Sequence, residues 1–386
     1  MMETYKKLLE ELNQSGNLRC LPLIEPHGKW IIRDGRRMLN LSSNDYLGLS
    51  RDTRLRKEFL TRAMEESLPL SSASSRLLTG NFPAYTELEE LLASSYGKES
   101  ALVFNSGYHA NVGILPALAD KDTLILADKL VHASLIDGIR LSGAAYKRFR
   151  HQDYEQAGHI LQNSAHTYKR IILVTESIFS MDGDIANLQK LVRIKKQYPN
   201  ALLYVDEAHA IGVRGKRGLG IAEESGTLQD IDLLVGTFGK ALASMGAFVV
   251  CSRLLHDVLV NRMRPLIFST ALPPLQVAWT SHIFRLLPRM EDRRTHLKKL
   301  SALVAQALQG QGGEISSSHI IPYIVHDSEA CLRLADSLQR KGFYCLAIRP
   351  PTVPQGTSRL RLSLTADMEE VDIENFIANK VSIGVF

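Results

Sequence analysis

Through the middle of the chain, apolar runs bounded by turn residues alternate with stretches of helical periodicity. Six short runs read as strands: Ala101–Asn105, Thr123–Ala127, Ile171–Thr175, Ala201–Asp206, Leu233–Thr237 and Ala247–Cys251. They are nearly continuous in apolar residues, which is the pattern of strands buried on both faces. Between several of them lie segments of helical length. In one, Leu188, Leu191 and Val192 share a face, with Lys195 and Lys196 at its polar edge. Strands alternating with helices predict an α/β fold with a mostly parallel, doubly covered sheet, placed at residues 50–275. After Pro273-Pro274 the pattern changes. Leu297, Leu300, Val304 and Leu308 recur at helical spacing, and Gly310, Gly312 and Gly313 then interrupt. An apolar run at Ile320–Val325, a helix near Glu329–Arg340 and an alternating strand at Arg359–Leu364 follow. A final helix carries Ile373, Phe376 and Ile377 on one face. These predict a smaller α+β domain at 276–386, and leave 1–49 as a short N-terminal segment.

Composition narrows the class. The chain has 386 residues, 45% hydrophobic and 23% charged, which are values of a folded globular protein rather than a disordered one. Its 46 basic and 41 acidic residues leave +5, without a dense Lys/Arg block, so no nucleic-acid partner is expected. So mild an excess suits a mixed-charge surface, or at most a small polyanionic ligand. No run approaches the roughly 18 apolar residues of a membrane span, and the N-terminus lacks the apolar core of a secretory signal. Cys20, Cys251, Cys331 and Cys345 are scattered, which argues against a disulfide framework and for a reducing, cytoplasmic setting. No histidine pair has zinc-ligand spacing, so no metal is expected.

Candidate chemistry gathers after the strands. Asp206 ends an apolar strand, and ligands of open α/β sheets sit outside the carboxyl ends of strands. Lys240 follows the next strand, in Gly236-Thr237-Phe238-Gly239-Lys240, among small residues that admit a planar group. This is no phosphate-loop motif, because Leu234 and Ala241 stand where glycine and Ser/Thr are needed. Alone, Asp206 reads as a turn cap and Lys240 as a solvated lysine. Together they suggest a pyridinium partner and a Schiff-base lysine for a carbonyl cofactor. The strand-to-helix turn at Asn105-Ser106-Gly107-Tyr108 offers helix-start amides to an anion, with the Thr237 hydroxyl as a further donor. His132 opens a helix after another strand, where an imidazole could stack on the ring of a cofactor.

These segments, with Ser42–Gly48, Phe179–Asp184 and Val205–His209, resemble the α-oxoamine synthases in sequence and in order. The likeness runs through nearly the whole chain. It implies the aspartate-aminotransferase fold: a large pyridoxal-phosphate domain with a mostly parallel sheet of seven-stranded type, plus a small C-terminal domain. It implies pyridoxal 5'-phosphate on Lys240, with Asp206 at the pyridine nitrogen and His132 stacked on the ring. Ser180 and His209 would lie near the phenolic oxygen, and Gly107, Tyr108 and Thr237 on the phosphate side. Lys240, His132 and Asp206 are thus the expected catalytic residues.

Within the family, Ile348–Pro354 and Ser358–Leu362 resemble members that condense L-alanine with a pimeloyl thioester. That branch implies Arg361 at the amino-acid carboxylate, and Arg19 and Thr352 at the acyl group. Coenzyme A or an acyl carrier protein would carry the acyl chain, and family practice implies a homodimer. The alternatives are an acetyl- or palmitoyl-transferring relative and, less favoured, a non-catalytic subunit. Two departures stand out. Glu207 replaces an aspartate common in the family, and Ser71–Gly80 replaces a glycine-rich segment, placing the bulk of Arg76 where an acyl or coenzyme channel is expected.

Overall fold

The computed structural model describes residues 2–19, 21–309 and 318–381; Cys20, Gly310, Gly312 and Gly313 lie outside the described residues. The chain divides into two compact units, one of residues 52–180 and 185–294, the other of 1–51, 181–184 and 295–386. Strands are numbered in chain order, and β1–β3 (Glu25–His27, Trp30–Arg33, Arg36–Asn40) belong to the second unit.

The large unit is built on β4 (Ser100–Phe104), β5 (Thr123–Asp128), β6 (Ala145–Phe149), β7 (Arg170–Glu176), β8 (Ala201–Asp206), β9 (Leu233–Thr237) and β10 (Ala247–Cys251). They form a seven-stranded sheet in the order β4-β10-β9-β8-β7-β5-β6. Strands β9, β8, β7, β5 and β6 pair in parallel, and β10 runs antiparallel between β4 and β9. The predicted strands are present to within one or two residues. The edge strand β6 went unpredicted: Tyr146, Lys147 and Arg148 face solvent, as suits an edge that must not pair further.

Polar caps mark the helix starts. Ser106 accepts from the His109 amide, Asp153 from Gln156, Asn187 from Lys190 and Ser252 from Leu255. Such caps stabilise a helix by about 1 kcal/mol each. The amphipathic helix Leu188–Lys195 buries Leu188, Leu191 and Val192, as its spacing predicts.

Because β4 and β9 both oppose β10, all strands but β10 point one way. Their carboxyl ends, Asp128, Glu176, Asp206 and Thr237 among them, therefore share one edge.

The second unit carries two small sheets. In one, the hairpin strands β1–β3 are extended by the parallel pairing of β3 with β12 (Phe343–Tyr344). In the other, β14 (Ser358–Ser363) lies between β11 (Ile320–His326) and β13 (Ala347–Ile348). The N-terminal segment is thus joined to the C-terminal residues by strand pairing, rather than standing apart as 1–49. The large unit also runs on to Arg294, past the expected boundary at 275. The reason is packing: Pro274–Leu286, an apolar helix burying Val277, Ile283 and Phe284, lies against Pro83–Tyr96 of the same unit.

Candidate active site

Asp206 closes β8 and is 5% exposed. Its Oδ1 accepts the Ala208 amide at 2.9 Å, and its Oδ2 accepts Nδ2 of Asn111 at 2.8 Å. Each such bond to a carboxylate is worth roughly 1.5–3 kcal/mol, so the group is held rather than merely present. Asn111 lies 1% exposed on the helix Gly107–Leu118. Its second amide hydrogen goes to Ser134 Oγ at 2.9 Å, and its Oδ1 accepts the Tyr204 hydroxyl at 2.6 Å. Ser134 in turn lies 2.8 Å from Nδ1 of His132, the cap of the helix Ala133–Ser142.

His132 presents one side to solvent. Even so, desolvation by the protein packed around it holds its pKa below the ordinary value, and the Lys240 ammonium pushes the same way against the pull of Asp206 and Asp137. The His132 amide donates to Glu176 Oε1 at 2.5 Å. Burial, reinforced by neighbouring Asp206, raises the Glu176 carboxyl well above the usual range. Glu176 ends β7 directly beside Asp206 in the sheet register, so two acids share one dry edge.

After β9, Lys240 places Nζ 2.8 Å from Nε2 of His209, on the turn that follows β8. Glu207 lies beneath this turn, fully buried. It accepts the Ser177 hydroxyl and the amides of Ala222 (2.7 Å) and Ile221 (3.1 Å). Burial lifts its carboxyl to about 7. The glutamate at this position is therefore anchored away from the lysine.

On the other side of the site, Gly107 opens its helix behind the cap Ser106. A Cβ on Gly107 would lie 3.8 Å from that of Thr237, so the helix start lies directly beside the end of β9. Thr237 donates to the Gly246 carbonyl at 3.0 Å and accepts the Gly239 amide at 3.3 Å. Tyr108 stands in the first turn of the same helix, so its backbone amide belongs to the helix start. It is half exposed, and its hydroxyl donates to Asp137 Oδ2 at 2.7 Å. Ser180 is buried at the end of its segment of the large unit.

The donor set fits pyridoxal phosphate: a primary amine, a held carboxylate for a ring N–H, an imidazole, and a helix N-terminus suited to a dianion. Among the described residues, no group of three or more His, Cys, Asp or Glu could hold a metal ion, and no helix is long and apolar enough to cross a membrane.

Arg19, Thr352 and Arg361 belong to the second unit. Arg19 Nη2 donates to Thr352 Oγ1 at 2.9 Å. Arg361 lies buried on β14, bonded to Ser363 Oγ at 2.6 Å and to the Tyr46 hydroxyl at 3.3 Å. Arg76 is tied within the large unit: it grips Glu89 (2.5 and 3.0 Å) and Asn81, and stacks over Tyr85 at 4.2 Å. Its bulk is thus held by neighbouring side chains. The departure from glycine is felt instead at Ala73, whose φ of 48° is one that glycine adopts more readily.

Sequence reasoning missed Asn111, Ser134, Glu176 and Tyr204. A signal for Asn111 existed, since it is a polar residue inside the otherwise apolar stretch Ala110–Leu115.

The profile of the family "Aminotransferase class I and II" matches residues 36–379. A protein of Pasteurella multocida named "Putative 8-amino-7-oxononanoate synthase" is 56% identical over 380 residues, 98% of each chain. A Neisseria meningitidis protein of the same name is 55% identical over 376 residues, 97% of this chain and 99% of its own. Among solved structures, serine palmitoyltransferase of S. paucimobilis with a bound PLP–myriocin aldimine has a TM-score of 0.89 at 29% identity, covering 99% of this chain and 98% of that one. The 8-amino-7-oxononanoate synthase of Francisella tularensis has a TM-score of 0.76 at 27% identity, covering 89% and 98%.

Proposed function

From a chain that belongs to the class I and II aminotransferases and, within them, to the pyridoxal-phosphate-dependent α-oxoamine synthases, we propose one reaction. It is the decarboxylative condensation of L-alanine with a pimeloyl thioester, giving 8-amino-7-oxononanoate, carbon dioxide and free thiol for biotin synthesis. The carrying observation is the pairing of held Asp206 with Lys240 at the ends of adjacent strands, the lysine 2.8 Å from His209. The names of relatives more than 50% identical over nearly the full length support the choice of substrates.

When bound, pyridoxal phosphate supplies a reactive aldehyde and a protonated ring that draws electrons from the amino-acid α-carbon. Lys240 would hold the cofactor through its Nζ, and as a free amine it would serve as the base for the amino-acid α-proton. His209 orients Nζ for both tasks. Asp206 would hold the ring N–H, and His132 would cover the ring face and donate to a substrate oxygen. Gly107, Tyr108 and Thr237 would take the phosphate side, with the amides of the helix start as donors, and Ser180 would serve the phenolic oxygen. Arg361 grips the alanine carboxylate with its two-pronged guanidinium. Arg19 and Thr352, already bonded to one another, meet the acyl chain. The enzyme works in the cytoplasm as a homodimer, its acyl group carried by coenzyme A or a carrier protein.

A second reading, the same chemistry on a longer acyl chain, draws on the higher TM-score to serine palmitoyltransferase. Product analysis with paired substrates separates the two. Alanine with pimeloyl thioester should turn over fastest. Faster turnover of serine with palmitoyl-CoA, or of glycine with acetyl-CoA, would overturn the proposal.

A further inference from the structure

We propose that Asn111 and Ser134 are positioning residues, which fix the His132 ring with its proton on Nε2 while holding the Asp206 carboxylate. The assignment rests on the reading of Asp206 and His132 given above, and it follows from counting donors and acceptors. Tyr204 is fully buried beside Asp206, and burial raises its pKa well above the ordinary value, so its hydroxyl keeps its proton and donates to Asn111 Oδ1. That bond, with Oδ2 of Asp206 accepting on the other side, sets the amide orientation. Both Asn111 amide hydrogens are then spent, one on Asp206 and one on Ser134 Oγ.

The Ser134 hydroxyl lies 2.8 Å from Nδ1 of His132, and because a backbone amide already fixes that nitrogen as an acceptor, the hydroxyl turns its own hydrogen to it. The Ser134 backbone amide donates to the same nitrogen at 3.2 Å. Two donors converge on Nδ1, so that nitrogen carries the lone pair and neutral His132 carries its proton on Nε2. The ring therefore offers a donor to a substrate oxygen without having to become charged.

The backbone is shaped for this contact. A Cβ on Gly138 would lie 2.3 Å from the Asn111 carbonyl oxygen, so only glycine lets the two helices approach closely enough for Asn111 to reach Ser134. One buried amide thus sets two groups that belong to different helices and strands.

The test is two-bond ¹H–¹⁵N correlation spectroscopy of the holoenzyme labelled with ¹⁵N-histidine, with the His132 signals assigned by their loss in His132→Asn. The wild type should show the Nε2–H tautomer at neutral pH; an Nδ1–H signal there would overturn the proposal without any variant. Ser134→Ala, a small change in a buried site, should give mixed tautomers, a shifted acidic limb of the pH–rate profile, and kcat/KM lower by about 10-fold, as for one lost hydrogen bond. Unchanged tautomer and profile in that variant would also overturn it. Asn111→Ala should in addition weaken cofactor retention about 10-fold or more, because a carboxylate loses a donor. Failure of the underlying reading is told apart by Lys240→Ala. If that variant keeps the lysine-linked cofactor absorbance, the site assignment falls, whatever the tautomer.

Discussion

The strand-end edge of the large unit and the arginines of the small unit hold their polar groups in opposite ways. At the strand-end edge, Asp206, Glu176 and Asn111 are nearly inaccessible, and a chain of short hydrogen bonds links them to Tyr204, Ser134 and His132. In the small unit, Arg19 is exposed on a segment that follows Met2–Gln14, a helix with no buried residue, and Thr352 meets it from a loop. Arg361 lies between these extremes, buried on the central strand β14 but bonded to the hydroxyls of Ser363 and Tyr46. The difference teaches where change is tolerated. The carboxylates and amide at the strand ends sit in a buried network whose members cannot move singly, whereas the Arg19–Thr352 contact is exposed and costs little to alter.

That contrast can be broken at graded points. Lys240→Ala should lower kcat by about 1,000-fold or more and remove the lysine-linked cofactor absorbance; near-normal turnover would dissolve the distinction at its centre. Glu207→Gln tests whether the ground beneath Asp206 is dry. A carboxyl at about 7 in the folded state, against 4.5 in the free side chain, contributes stability that is full below pH 4.5 and lost as pH rises towards 7. The variant should remove that decline, about 3 kcal/mol between the two pH values, in urea titrations run across the range. An unchanged slope would mean that the carboxylate is solvated.

Asp206→Asn should reduce kcat by about 100-fold, the worth of two pKa units at the ring nitrogen, and measurably weaken cofactor binding. Arg361→Ala should raise the KM for the amino acid by about 10- to 100-fold and leave that for the thioester nearly alone. The reverse pattern would move Arg361 to the acyl side. Arg19→Ala should be the mildest, raising the KM for the thioester by about 2- to 5-fold in steady-state assays, as for an exposed contact.

Sequence exposed the frame of the large unit because doubly buried strands write themselves as apolar runs. Strand β6 escaped because an edge strand with Lys147 and Arg148 facing water reads as a loop. Strands β1–β3 escaped as well, since their pairing partner β12 lies near the far end of the chain. Asp206, Lys240 and His132 stood out by position, at or just beyond a strand end. Asn111 did not, because its role depends on side chains 23 and 95 residues away meeting at one point. Glu176 looked like an ordinary strand end until the register set it beside Asp206. For Arg76, the sequence suggested an obstruction, and geometry turned it into a brace for Glu89 and Asn81.

The pairing of β3 with β12 also bears on the order in which the protein is made. Ile31, Met38, Leu39 and Leu41 are buried in the finished molecule, yet Tyr344, which packs in the same cluster as Ile31 and Met38, is translated long after them. Roughly 300 residues separate the two strands, so at about 5–20 residues per second the hairpin waits on the order of 15–60 seconds on the ribosome. The whole large unit emerges in that interval and can fold around its sheet. Strand β3 is thus made early relative to β12 and is among the last elements to find its partner.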